Sequence, residues 1–319
     1  MRHLLPVLAL LVLVLPACAS SAADEGPVHA DGWSYTTGFG NTIELDAEPE
    51  VIVADTYSAA ALWEYGIRPD AVFGFGLEPG GSPLALGNAD VESMENVSPG
   101  GEINLEALAK LEPDLVIGYG NQEKPDSWTW WEDNTAEHVN AIAPFVGIKF
   151  SAQPIVDVIE EYAGLAEALG ADVERSSAVQ AKAEFEKASA QLEETVATKP
   201  DLTTIALNGD TSQLYVGTTA LAQLDLLEQL GITLVGPESD GPWAEVSWER
   251  VPDWPADVVL EYVNSAEPFA DAPIYQSLPA VKADQIAVWD DKSPNTYVHY
   301  AAWLTDLNRV YEAAEDVTD

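Results

Sequence analysis

The sequence predicts an α/β protein built as two α/β lobes joined by a single long α-helix. Three observations point there. Short β-branched and apolar runs alternate with helical patterns from about residue 43 onward. The same alternation restarts at Thr204, and one amphipathic stretch at 154–169 separates the two series. Alternation of this kind is expected of parallel sheets covered by helices on both faces. A chain of 319 residues also exceeds what one core comfortably fills.

Taken in order, the chain opens with Met1, Arg2 and His3, then an almost wholly apolar run over 4–16 that ends in small residues and a cysteine. This is the pattern of a secretory signal peptide. Its apolar part falls short of the roughly 20 residues a membrane span needs. Cys18 is the only cysteine. It closes Leu15-Pro16-Ala17-Cys18, which resembles the lipobox at which bacterial lipoproteins are cleaved and lipidated on the thiol. The expected organisation is therefore a signal peptide at 1–18 ending at lipidated Cys18, with the protein anchored by lipid alone to the outer face of the cell membrane. The alternative is an ordinary signal peptide cleaved further on, after Ala22 or Ala23. Neither case allows a disulfide or a cysteine-rich metal site.

Residues 19–42, rich in small and polar types, lack an apolar period and read as a flexible tether. The first lobe is expected over 43–150. It holds VIVAD at 51–55, a helix at 58–65, AVFGF at 71–75, a helix at 105–111 and DLVIG at 114–118. At 154–169, Ile155, Val158, Ile159, Tyr162, Leu165 and Leu169 share one helical stripe, with Gly170 as stop signal, giving an interdomain helix within 151–170. The second lobe, 171–319, begins with a helix at about 173–196 ended by Lys199-Pro200. TIALN at 204–208, a helix at 221–230, VVLEY at 258–262, IAVWD at 286–290 and a helix at 297–314 follow.

Charge narrows the function classes. The chain holds 54 Asp and Glu against 13 Lys and Arg, a net −41. Nucleic acid is excluded as a partner, because binding it depends on basic side chains that neutralise phosphates. With 47% hydrophobic residues and ten Trp the chain can still fill real cores, so the acids belong on a solvated surface. Strong hydration and self-repulsion suit concentrated salt, where screening is short-ranged, and predict a salt-tolerant source.

Four segments carry a family resemblance. PEVIVADTYSAAALWEYGIRPDAVFGFG, INLEALAKLEPDLVIGYG, GPWAEVSWERVPDWPADVVLEY and LPAVKADQIAVWD occur in that order. Together they resemble the helical-backbone substrate-binding proteins that serve ABC importers of siderophores, haem and cobalamin, over about residues 45–315. The resemblance implies a ligand cleft between the lobes, little closure on binding, a monomer and no cofactor. It also implies that Glu106 of Asn-Leu-Glu and Glu249 of Ser-Trp-Glu dock, one per lobe, onto the membrane subunits of the importer. In a chain this acidic, either could instead be a plain surface charge.

Loops at the carboxyl ends of the strands should face such a cleft. Tyr57, Phe75, Tyr119, Tyr215, Trp243 and Tyr297 fall there, and similar positions line the cleft across the family. Tyr and Trp offer large, stiff apolar faces with a polar edge, suited to gripping a bulky ligand. Each could equally be core, the reading adopted for Trp63, Trp254, Trp289 and Trp303. Trp128, Trp130 and Trp131 form a further cluster, either a wall or lid of the site or packing on the first lobe.

Among basic residues only Arg250, with Lys124 and Lys292, is placed to reach a cleft, and Arg250 could instead pair with Glu249 or Asp253. A trianionic catecholate complex needs several cations facing it, whereas a hydroxamate complex needs mostly aromatics. The expected ligand is therefore a ferric siderophore, hydroxamate type first. Haem would ask for an axial ligand such as His29, His138 or His299. Haem, cobalamin and a surface lipoprotein that senses its ligand without transport are the alternatives. Resident metal and catalysis are not expected: the histidines are scattered, and no Gly-x-Ser-x-Gly, phosphate loop or His-Glu-x-x-His occurs.

Overall fold

A computed structural model describes residues 32–77, 83–263 and 265–318. The signal-peptide and anchor readings at 1–18, and His29, lie outside the described residues. Residues from Gly32 onward form one compact unit.

The chain first makes a hairpin of β1 (Trp33–Thr36) and β2 (Thr42–Leu45), paired antiparallel from Trp33 opposite Leu45. Of the tether expected over 19–42, residues 19–31 lie outside the described residues, and the remainder is corrected here. Trp33 is buried and donates its indole N–H to the carbonyl of Ala168, and the Tyr35 hydroxyl donates to that of Glu161. The hairpin clasps a helix 120 to 135 positions away in sequence, which no local pattern reports.

The first sheet follows, built from β3 (Ile52–Asp55), α1 (Thr56–Glu64), β4 (Ala71–Phe73), β5 (Glu95–Asn96), α2 (Leu105–Leu111), β6 (Leu115–Tyr119), α3 (Asp133–Asn140) and β7 (Phe145–Ile148). Its order is β5-β4-β3-β6-β7, parallel throughout. Every residue of β3, β6 and β7 is buried, which is why these runs are continuously apolar rather than alternating. The order reverses direction between β3 and β6. In open parallel sheets ligands bind beyond the carboxyl ends of the strands at such a reversal.

α4 (Ile155–Ala168) and α5 (Ser176–Ala197) lead to the second sheet. Ile155, Val158, Ile159, Tyr162 and Leu165 of α4 are buried as the stripe requires, and the Tyr162 hydroxyl meets Ser58 Oγ beneath α1 at 2.9 Å.

The second sheet comprises β8 (Thr203–Gly209), β9 (Leu214–Gly217), β10 (Thr233–Leu234), β11 (Trp243–Val246), β12 (Val258–Tyr262) and β13 (Ile286–Trp289), with α6 (Ala222–Gln229), α7 (Ala266–Ala270), α8 (Pro279–Lys282) and α9 (Tyr297–Ala313) around it. The order is β11-β9-β8-β12-β13, with β10 also on β8. β8, β12 and β13 run parallel, and β9 pairs antiparallel with both β8 and β11. The sheet separates two cores by the period-two rule. Ala206, Val258, Leu260 and Trp289 pack towards α5 and α9, whereas Ile205, Leu207, Val216 and Val259 pack with Trp248, Phe269 and Tyr275. No described helix is long and apolar enough to cross a membrane.

Candidate functional site

Asp55 organises the reversal point of the first sheet. It ends β3, caps α1, and is completely buried. Its Oδ1 accepts the Ser58 N–H at 2.7 Å, and its Oδ2 accepts the Tyr119 N–H at 2.9 Å and the Trp128 indole N–H at 2.8 Å. Burial pushes this carboxyl above its usual range, while the donors around it pull back towards the charged form. Gly118 makes room for the arrangement, since a Cβ there would lie 2.9 Å from Trp128 Cδ1. Asp55 was not singled out in the sequence. Its one local signal was an Asp three residues before Ser58 at a helix start.

An aromatic wall grows from this hub. The Tyr57 and Tyr119 rings stack at 4.6 Å and 9°, and Tyr119 stacks on Phe150 at 4.3 Å and 7°. Trp130 lies 6.0 to 6.2 Å from all three, and its edge contacts Phe75 at 5.0 Å and Trp128 at 4.8 Å. Tyr57 is fully buried, but Trp130 and Phe75 are 43% and 39% exposed. Large apolar side chains left open beside one another in this way mark a binding surface. Trp131 packs inward on Phe73 and Phe145.

This wall borders a cavity of about 810 Å³ between the two sheets' loops. Tyr119, Phe150 and Ile155 line one side, and Leu221, Pro242 and Trp243 the other. Trp243 is backed by Trp289 at 5.5 Å and by Tyr262 at 6.1 Å. Gln122, Gln153, Gln223 and Asn295 supply polar edges, and the Asn295 amide donates to the Tyr119 hydroxyl at 2.6 Å across the cleft. Among the described residues the charged side chains of the lining are Asp225 and Asp291, with no Lys, Arg or His. The Asp291 carboxylate accepts the Tyr262 hydroxyl at 2.7 Å. Phe150, Gln223, Asn295 and the two aspartates were not anticipated, because each joins the cavity through contacts distant in sequence.

The predicted site residues divide. Tyr57, Phe75 and Tyr119 come together in the wall, and Trp243 faces them. Tyr215 lies on β9, paired with Asn208 and Glu245, outside the cavity lining. The loop expected after TIALN is in fact a strand. Tyr297 turns to the opposite side of α9: its hydroxyl donates to Glu160 at 2.6 Å and its ring packs on Phe185. Arg250 does not reach the cleft. It is exposed, bonds Asp253 at 3.2 Å and lies 4.8 Å over Trp254. Lys124 pairs with Asp133 on the surface, and Lys292 lies 5.7 Å above the Phe75 ring.

Glu106 and Glu249 are exposed. The Asn104 side chain caps α2 beside Glu106, and hydrogen bonds from its own backbone and Ser247 hold Glu249 below its usual range. His138 is exposed on α3. His299 lines a separate space of about 120 Å³, too small for a macrocycle, and burial lowers it to about 4. No group of three or more metal-ligating side chains occurs among the described residues.

Comparison with known proteins agrees with this geometry. The periplasmic binding protein family matches residues 52–293. The Fe(3+)-citrate-binding protein YfmC of Bacillus subtilis is 24% identical over 89% of this chain and 87% of its own length. The probable siderophore-binding lipoprotein YfiY of the same organism is 24% identical over 89% of each. DesE, a ferric-siderophore receptor protein from Streptomyces coelicolor, superposes with a TM-score of 0.82 at 29% identity, covering 89% of this chain and 99% of that one. The chain therefore belongs to the periplasmic binding protein family and is a solute binder, not an enzyme.

Proposed function

We propose that this chain captures a ferric siderophore outside the cytoplasm, hydroxamate type first, and delivers it to an ABC importer while held to the membrane through a lipid on Cys18. One observation carries the ligand class: a bulky aromatic-walled cleft whose lining, among the described residues, holds no basic side chain. A trianionic catecholate complex would find a single nearby cation, Lys292 above Phe75, and would meet Asp225 and Asp291 in the lining. Ferric citrate, named for one relative, is anionic and meets the same objection. A hydroxamate complex asks mainly for flat apolar faces and a few hydrogen-bond partners, which Trp130, Phe150 and Trp243 and the cleft amides offer. The siderophore-receptor and siderophore-binding relatives support the same reading. Glu106 and Glu249, both exposed and outside the ion pairs of the described residues, remain the proposed docking pair for the importer.

The test is a tryptophan-fluorescence titration of the purified full-length chain in mild detergent, against ferrioxamine B, a ferric tris-catecholate, haemin and cobalamin. Saturable quenching is expected with ferrioxamine B, and Trp130→Ala should weaken it by about tenfold or more, the loss of one large aromatic contact. Saturation by the catecholate or haemin in its place, or by none of the four, would overturn the ligand assignment.

A further inference from the structure

Resting on that reading, we infer that the cleft selects a chelate bearing a positive charge, such as a protonated primary amine, and that Asp225 and Asp291 recognise it. Both carboxylates are half-buried and line the cavity. Neither takes part in an ion pair among the described residues. Each has one oxygen engaged by a neutral donor, Asp225 by the Gln229 amide at 2.7 Å and Asp291 by the Tyr262 hydroxyl at 2.7 Å. Neutral donors leave the charge itself uncompensated. A carboxylate withdrawn from water without a cation is costly, and the cost is removed when a ligand brings the cation.

The aromatic faces of the wall point the same way. Outside the cavity lining, Lys292 Nζ already sits 5.7 Å above the Phe75 ring, so this wall accepts an ammonium. Exposed Trp130 beside it presents another face of the kind that attracts cations.

The experiment compares ferrioxamine B, whose free amine is protonated at neutral pH, with its N-acetyl derivative, which keeps the ferric trihydroxamate and loses the charge. Affinities for the purified full-length chain are measured by fluorescence quenching at fixed ionic strength, and repeated with Asp225→Asn/Asp291→Asn. A charge pair in a half-exposed site supports about a tenfold preference for the amine over the amide. The double variant should bring that ratio close to one through weaker binding of the amine, with circular dichroism and the melting curve reporting that the fold is intact. Equal affinities in the parent chain overturn the inference and leave the hydroxamate reading standing. A preference that survives in the double variant overturns the assignment to these two residues. Failure of both chelates to bind overturns the reading on which the inference rests.

Discussion

Replacing Asp55 tests whether one buried carboxylate holds the aromatic wall in place. Three N–H groups converge on it at 2.7 to 2.9 Å, two of them on the same oxygen. Asparagine keeps one acceptor oxygen, so at least one of those donors must face an amide NH2 and go unpaired. A buried donor stranded in this way costs about 1–3 kcal/mol. Part of that is returned because a charge no longer has to be buried, so Asp55→Asn should lose about 2 kcal/mol. Asp55→Ala strands all three donors and removes the α1 cap, and should lose about 4 kcal/mol. Urea denaturation of the full-length chain, followed by far-ultraviolet circular dichroism, gives both values. The loss should appear in ligand affinity as well, because Trp128, released from Asp55, contacts the exposed Trp130 at 4.8 Å. If Asp55→Asn were as stable as the parent within about 0.5 kcal/mol and bound equally well, the carboxylate would not be the hub described here.

Two other predictions concern stability. Lys199 Nζ donates to the carbonyls of Tyr311, Glu312 and Ala314 at 2.7 to 2.8 Å, satisfying the open end of α9. Lys199→Met keeps the stem and removes the donors. It should cost about 2 kcal/mol in denaturant titration, and no change would show that water serves those carbonyls as well. His299 is held to about 4 by burial, against 6.5 when exposed. The unfolded chain therefore binds a proton that the folded one refuses, and stability falls as pH drops from about 6.5 towards 4. The shift corresponds to at most about 3 kcal/mol, nearer 2 for a ring that keeps partial exposure. His299→Gln should flatten this part of the acid limb in melts recorded between pH 7 and 4.5.

How much could be read beforehand depended on whether a residue's partners were near in sequence. Parallel strands buried on both faces announce themselves as apolar runs, so β3, β6, β8, β12 and β13 were legible, as was the buried stripe of α4. The rule that sites lie beyond the carboxyl ends of strands picked out Tyr57 and Tyr119, which flank the reversal of strand order and stack on each other in the wall. It failed at Tyr297 because nearness to a loop does not set rotation about a helix. Asn295, two residues earlier, enters the cleft, while Tyr297 begins α9 and points to Glu160. Arg250 failed for a local reason that was visible: Asp253 at i+3 and Trp254 were close enough to occupy it. Strands β1, β2, β9 and β11 went unread because each is only four residues long, too short for its alternation to stand out from the loops around it.

The site divides into a fixed part and an adaptable part, and that division explains how one aromatic wall can be both precise and tolerant. Trp128 is tied to Asp55, Tyr119 to Asn295, and Tyr162 beneath them to Ser58. These bonds are buried and unscreened, so the inner rings lose little further freedom when a ligand arrives, and less of the interaction energy goes to ordering the site. Trp130 and Phe75 pack on neighbouring rings, with Lys292 above Phe75, and remain open to solvent. They can change rotamer to follow the outline of a chelate while the surface behind them stays still. Variants of the two layers should then differ in kind. Trp130→Ala removes contact area and lowers affinity with little effect on folding. Asp55→Asn leaves every ring present, yet lowers affinity together with stability, because the bound arrangement must then be assembled at the moment of binding.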